Sequence, residues 1–372
     1  MGTSGGRRQG APDALEAMTG MRMDLTDWEA KRLAGQRLMA GFQGTEFNAT
    51  LERLITDLKI GGIILFKRNL VAPEQIAQLC CAAQECARAC GLPPLLIAID
   101  QEGGPVARLG PPFTQFAGNP AMDDVTDADR FAAITAAELA SVGINMNLAP
   151  VVDVAPEGFP SVMAGRAFTG GPERVARMGR AVIEGLQRRG IMAVAKHFPG
   201  IGRTTLDSHL DRPVLETDLA SLEAFDLIPF QAAVACGVAG VMLSHILYRG
   251  LDPDRPASLS PLVVKRLLRR RMRFKGIVMT DDLEMGAIER TVGFERAVRR
   301  LLHAEVDLCL ICHMLEKIEQ AFFIMTRACA ASHKGRLRAQ RSVARILAVK
   351  EDYGLREKTS ASNPQRTPAA TR

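Results

Sequence analysis

Two clusters of titratable residues in this chain have the types and spacing that acid–base or nucleophilic chemistry needs. The first is Asp207-Ser208-His209, where a carboxylate two residues from an imidazole can orient the ring and raise its basicity. The second is Asp281-Asp282, directly behind Val278-Met279-Thr280. One carboxylate nucleophile plus a separate proton shuttle is the minimum for cleaving a glycosidic bond with retention, which ordinarily uses two carboxyl groups about 5–5.5 Å apart. Successive residues of an extended segment point opposite ways, so only one of Asp281 and Asp282 is expected to face a common pocket. Helix capping by Asp207 or Asp281 would account for the same residue types without chemistry, and spacing alone leaves that alternative open.

Positioning these groups falls to a rhythm of apolar strands and amphipathic helices. Strands are expected at residues 62–66, 95–99, 146–152, 192–195, 240–243, 276–279 and 306–311, with helices at 73–89, 127–141, 172–189, 218–235 and 261–271 between them. Near-continuous apolar strands separated by helices imply a parallel sheet covered on both faces. A (β/α)8 barrel and an open doubly wound sheet both fit, and the pattern yields seven strands, one short of a barrel. The polar residues favour the barrel. Asp100 with Gln101 and Glu102, Asp153, Lys196 with His197, His245, and Asp281 with Asp282 all follow strand ends closely. Groups at the C-terminal ends of many strands converge on one pocket only if the strands close into a ring; as separate buried charges each would carry its own desolvation penalty.

Composition narrows the class. With 47% hydrophobic and 24% charged residues the 372-residue chain can bury a large core, and it contains no run long enough to span a membrane. The net charge of +6 is concentrated in runs such as Lys265 to Arg271, which read as a solvated helix face; with one Trp and two Tyr, a nucleic-acid partner is not expected. Residues 1–24 and 356–372, rich in Gly, Ser, Thr, Pro and Arg, are expected to be disordered tails around a single domain at 25–355. The first residues lack the apolar core of a secretory signal, so a cytoplasmic location and eight reduced cysteines are expected. Cys309-Leu310-Ile311-Cys312-His313 matches the haem-attachment spacing, but the run 306–311 reads as a buried strand with its cysteines packed inside.

Several separated motifs, from about Leu25 to about Leu355, resemble family 3 glycoside hydrolases of the bacterial β-N-acetylhexosaminidase type. Lys196-His197-Phe198-Pro199-Gly200 through Asp207-Ser208-His209 resembles the family's signature, in which an Asp-Ser-His tripeptide on a loop supplies the acid/base. Asp100-Gln101-Glu102-Gly103-Gly104 to Arg108 is similar to its sugar-binding segment, and Gly165-Arg166-Ala167-Phe168 to the segment that supplies a substrate-binding Arg. Val278 to Met285 resembles the nucleophile motif. The resemblance thus implies a (β/α)8 barrel with Asp281 as nucleophile, His209 as acid/base oriented by Asp207, and Asp100, Arg108, Arg166, Lys196 and His197 as sugar ligands. It implies an exo-acting β-N-acetylglucosaminidase on muropeptide or chitooligosaccharide fragments, monomeric, with no metal or cofactor and no partner but a small carbohydrate.

The chain departs from that pattern at Ile201, where His is usual, at Arg203, where a small or acidic residue is commoner, and at Pro105 and Gly165. A bulky apolar Ile201 is expected to seek burial, which bears on how the loop closes. A β-glucosidase or a phosphorylase within the same family, a catalytically dead sugar binder, and a metal-dependent hydrolase built on Asp207, His209, His245 and Asp281 are the competing expectations.

Overall fold

The computed structural model describes residues 27–206 and 213–355. The expected tails at 1–24 and 356–372, and Asp207 and His209, lie outside the described residues.

Eight parallel strands close into a barrel: β1 (Leu38–Ala40), β2 (Gly62–Leu65), β3 (Leu96–Ile99), β4 (Met146–Asn147), β5 (Met192–Phe198), β6 (Gly240–Leu243), β7 (Ile277–Asp282) and β8 (Leu308–Ile311). Each pairs with its neighbours in sequence, and β8 pairs back onto β1 through Leu38–Cys309, Met39–Leu310 and Ala40–Ile311. The open-sheet alternative is thereby excluded. The strand that the hydrophobic pattern missed is β1. It has only three residues, too few to show a period, and it follows the polar pair Gln36-Arg37. Both are buried at the strand's N-terminal end, where Gln36 donates to Lys59 O and Arg37 to Val306 O, at 3.0 and 2.8 Å.

Alternation along the strands separates two cores. Met39, Ile64, Leu96, Ala98, Met146, Met192, Val194, Met242, Ile277, Met279, Leu308 and Leu310 fill the barrel interior. Their neighbours Leu38, Ile63, Leu65, Ile97, Ile99, Ala193, Val241, Val278 and Cys309 face the helices. Every strand is buried on both sides, which is why these segments read as unbroken apolar runs. Methionine recurs inside the barrel because its unbranched thioether adapts to an irregular interior. Cys309 and Cys312 are buried free thiols in this packing, as the strand reading of that segment expects.

The helices bring their own chemistry to the ends. Asp124 caps the helix Val125–Ser141 by accepting from Thr126 and Asp127 N–H. The basic run lies on the helical segment Leu262–Arg271, with Val263, Val264, Leu267 and Leu268 turned inward; Lys265 pairs with Glu305, Arg269 with Asp307 and Arg271 with Glu223. Loops following the C-terminal strand ends are long, spanning 100–124 after β3, 148–171 after β4 and 244–261 after β6. That face carries the site in barrel enzymes.

The opposite mouth is closed by the helix His333–Asp352, which inserts Ile346 and Val349 into the interior cluster. Beside them Lys350, 1% exposed, donates to Gly61 O at 3.0 Å and Gln36 Oε1 at 3.4 Å with no carboxylate in contact among the described residues. Burial pushes its ammonium down from 10.5 to about 7. Between those values the unfolded chain binds a proton that the folded chain does not, so this side chain's contribution to stability rises with pH across the window. Lys350→Met should therefore gain thermal stability relative to wild type, more near pH 7 than near pH 10. Calorimetric melting of both proteins over that range is the check, and parallel curves would refute it.

Candidate active site

At the C-terminal end of the barrel Asp100, Arg108, Arg166, Lys196, His197 and Asp281 line one cavity of about 200 Å³. This lies below the roughly 300–1,000 Å³ of sites for drug-sized ligands and suits a single sugar ring. A larger cavity of about 750 Å³ sits at the N-terminal end of the strands between the helices Pro73–Ala89 and Val125–Ser141. Its lining, with Cys81, Glu85 and Arg88 on one helix, brings no set of titratable groups from different strands together, so the smaller cavity is the chemical one.

Lys196 organises the charge at this end. It is 2% exposed, and its Nζ lies 2.7 Å from Asp100 Oδ1 and 2.6 Å from Glu102 Oε1. Arg166 grips Glu102 in a fork, Nε to Oε2 at 3.0 Å and Nη2 to Oε1 at 2.8 Å, a geometry an ammonium could not reproduce. Arg108 Nη2 reaches Asp100 Oδ2 at 3.3 Å, while its buried Nε has no acceptor among the described residues. Burial would raise the Asp100 carboxyl, but Lys196 and Arg108 override it and hold the group at about 2. Asp100 is thus an ionised acceptor in the cavity lining, the kind of group a sugar's hydroxyls can donate to.

His197 is fixed from behind. Its Nδ1–H donates to Asp153 Oδ2 at 2.8 Å, and the fully buried Asp153 also accepts from the backbone N–H of His197 and of Ile201, the latter at 2.8 Å. This leaves Nε2 for the cavity. Lys196 and His197 are consecutive yet both line it, at a point where the pairing of β5 with β6 shifts register between Ala195 and Phe198.

The same irregularity corrects one expectation. Asp281 and Asp282 both reach the cavity, since β7 shifts register against β8 between Met279 and Asp282. Asp282 Oδ1 accepts from Glu284 N–H at 3.1 Å and Cys312 N–H at 3.3 Å, tying β7 to β8. Burial, with Glu284 and Asp281 nearby, pushes its carboxyl up to about 7. His245 is not a cavity group. Its Nδ1 meets Ser258 Oγ and its Nε2 the carbonyl of Asp282, at 2.8 and 2.9 Å, which supports the backbone behind the two aspartates.

The chain's departures in the loop after β5 are accommodated by burial and pairing. Ile201 is 7% exposed, as expected of it, and Arg203 pairs with the fully buried Asp226 carboxylate and reaches Thr217 Oγ1 at 3.2 Å. Asp207 and His209 lie beyond that stem and outside the described residues.

Pattern reading met Phe66 only as a strand end and His313 only as the last residue of the haem-attachment spacing, and assigned neither to the site. Both line the cavity, and Glu102 and Asp153, noted only as strand-end charges, brace it. Asp282, Glu284 and His313 bring ligand atoms within 4.8 Å of one another. Glu284, however, already accepts N–H bonds from Cys312, His313 and Met314, which commits both its oxygens to the β8 loop.

Residues 25–349 match the model of the glycosyl hydrolase family 3 N-terminal domain. The chain belongs to that family. It is therefore a glycosidase by class. It is 35% identical over 290 residues to a β-hexosaminidase of Alkalilimnicola ehrlichii, covering 76% of this chain and 82% of that protein. Among solved structures, a family 3 β-N-acetylglucosaminidase from a Paenibacillus species superposes with a TM-score of 0.83 at 38% identity, over 91% of this chain and 64% of that one. This chain thus spans less than two thirds of the Paenibacillus protein. Native NagZ from Neisseria gonorrhoeae superposes with a TM-score of 0.69 at 28% identity, over 83% of this chain and 97% of that one.

Replacing the central cation tests whether the cluster is one unit. Lys196→Met leaves Asp100 and Glu102 buried with their shared partner gone, a loss of about 3–5 kcal/mol. Denaturant unfolding should show that loss, together with weakened binding of N-acetylglucosamine by calorimetry. A variant as stable as wild type would mean that Arg108 and Arg166 suffice.

Proposed function

We propose that the protein is an exo-acting, retaining β-N-acetylglucosaminidase that removes terminal N-acetylglucosamine from muropeptide or chitooligosaccharide fragments in the cytoplasm. The observation behind the reading is a cavity the size of one sugar ring that holds both Asp281 and the Lys196-braced Asp100 in its lining. The β-hexosaminidase and β-N-acetylglucosaminidase names of the relatives support the choice of sugar.

In this mechanism Asp100, Arg108, Arg166, Lys196 and His197 hold the sugar. The Asp281 carboxylate attacks the anomeric carbon as the glycosidic C–O bond breaks, and the departing oxygen takes a proton from His209. His209, oriented by Asp207, then removes a proton from water as that water displaces Asp281 and restores the free carboxylate. No step calls for a metal.

The direct test offers an aryl N-acetyl-β-glucosaminide and an aryl β-glucoside to the purified protein. Only the first should be cleaved well, Asp281→Ala should abolish cleavage, and a 2-fluoro sugar inactivator should add its mass to the peptide containing Asp281. Labelling elsewhere would overturn the nucleophile.

His209 is tested by leaving-group dependence. A nitrophenolate departs unprotonated whereas a sugar alkoxide does not, so His209→Ala should slow disaccharide cleavage far more than formation of the glycosyl-enzyme from a nitrophenyl substrate. Equal losses on the two substrates would move the acid/base role to another residue.

A further inference from the structure

His313 stands at the rim of the sugar cavity with a donor that the protein itself barely uses. It follows β8, lines the cavity and keeps half of its side chain exposed. Its ring leans on Phe66, centroids 5.6 Å apart and tilted by 34°. The Nδ1 atom lies 3.2 Å from Arg68 Nη1. A guanidinium only donates, so Nδ1 must accept, and the ring's proton sits on Nε2. Arg68 cannot turn away to relax that requirement, because its Nε donates to Phe42 O at 2.9 Å and its Nη2 to Cys312 O. A second proton on Nδ1 would face the Arg68 cation directly. Burial and Arg68 disfavour the imidazolium and together outweigh the opposing pull of the Glu284 carboxylate.

Nε2 lies 3.5 Å from Asp282 Oδ2, beyond the distance of a good hydrogen bond. A donor of fixed tautomer, half exposed and weakly engaged, is suited to an oxygen arriving from outside. With a cavity of about 200 Å³ filled by one sugar ring, whatever is attached to that ring's anomeric oxygen must lie outside, against the rim.

We propose that His313 is a specificity-determining residue that donates an Nε2–H hydrogen bond to the leaving group of the substrate, with Arg68 as the positioning residue that sets its tautomer. The inference rests on the glycosidase reading above and adds to it the part of the site that meets the aglycone. An aglycone carrying hydroxyl or carbonyl oxygens close to the scissile bond, such as a second sugar, is the class this donor selects; a flat aryl group gains nothing from it.

The experiment compares N,N′-diacetylchitobiose with nitrophenyl N-acetyl-β-glucosaminide on wild type, His313→Ala and His313→Gln. His313→Ala should lower kcat/KM for the disaccharide about three- to tenfold, the worth of one hydrogen bond between neutral groups, mainly through KM. The losses on the nitrophenyl substrate and in inhibition by free N-acetylglucosamine should be smaller, so that the disaccharide-to-nitrophenyl ratio of kcat/KM falls about three- to tenfold. His313→Gln, whose amide can present an N–H near the same position, should recover most of the loss. Equal losses on both substrates, or a loss that glutamine does not relieve, would overturn the proposal. Should wild type cleave neither substrate, the glycosidase reading fails on its own. Calorimetric binding of the disaccharide against the monosaccharide then still decides for His313, since only the disaccharide should bind the alanine variant more weakly.

Discussion

A lysine ammonium almost fully enclosed between two carboxylates is a costly arrangement unless every charge is met, and in this molecule the geometry of the barrel's upper end follows from meeting them. Lys196 balances Asp100 and Glu102 only because β3 and β5 deliver the three side chains to one point, and Glu102 is in turn forked by Arg166 from the long loop after β4. Lys196, with Arg108 beside it, is what keeps Asp100 ionised in a buried place. The cluster therefore fixes the strand ends and leaves a sugar-sized space with a pre-oriented, ionised acceptor in its lining. Stability and binding draw on the same contacts, so the site cannot be loosened without loosening the barrel top.

Beside that cluster runs a second buried device built on Asp153. It accepts from the backbone at His197 and Ile201 and from the His197 ring, so one carboxylate sets the imidazole's orientation and anchors the start of the loop after β5. On the other wall Asp282 and Glu284 perform the equivalent service for β8, holding the backbone of Cys312, His313 and Met314. In each case the residue in the lining is presented by an acidic neighbour that bonds backbone rather than ligand, the division of labour by which outer groups orient inner ones.

Much of this was legible in the amino-acid pattern, and the failures share a cause. Seven of the barrel strands announce themselves because residues buried on both faces make unbroken apolar runs; Leu38–Ala40 does not, since three residues carry no period and its flanking Gln36 and Arg37 are polar residues buried by hydrogen bonds to carbonyls. Strict alternation also predicted that Asp281 and Asp282 would part company, and register shifts at the strand ends are a property of pairing that no single segment reveals. Asp100, Arg108, Arg166, Lys196, His197 and Asp281 were reachable through motif resemblance. His313 was not, because the features that single it out are the Arg68 guanidinium and the Phe66 ring, some 245 residues away in sequence for the former.

The loop after β5 shows how a chain can depart from its family's pattern and keep the frame. Ile201 engages Asp153 through its backbone N–H alone, and its side chain is buried. Arg203 brings its own counter-ion, Asp226, whose carboxyl burial would push up to about 6 despite the guanidinium; the pair closes over Gly200, where a φ of +121° and an added Cβ 2.8 Å from Asp226 Cβ leave room for glycine alone. Tyr248 completes the anchorage by donating to Gly200 O at 2.7 Å, and Val214–Leu215 pairs with Leu247–Tyr248 on the returning side. The described backbone is thus tied down both before residue 207 and after residue 212, and bending the stem would break the Arg203–Asp226 ion pair together with the Ile201–Asp153 and Tyr248–Gly200 hydrogen bonds.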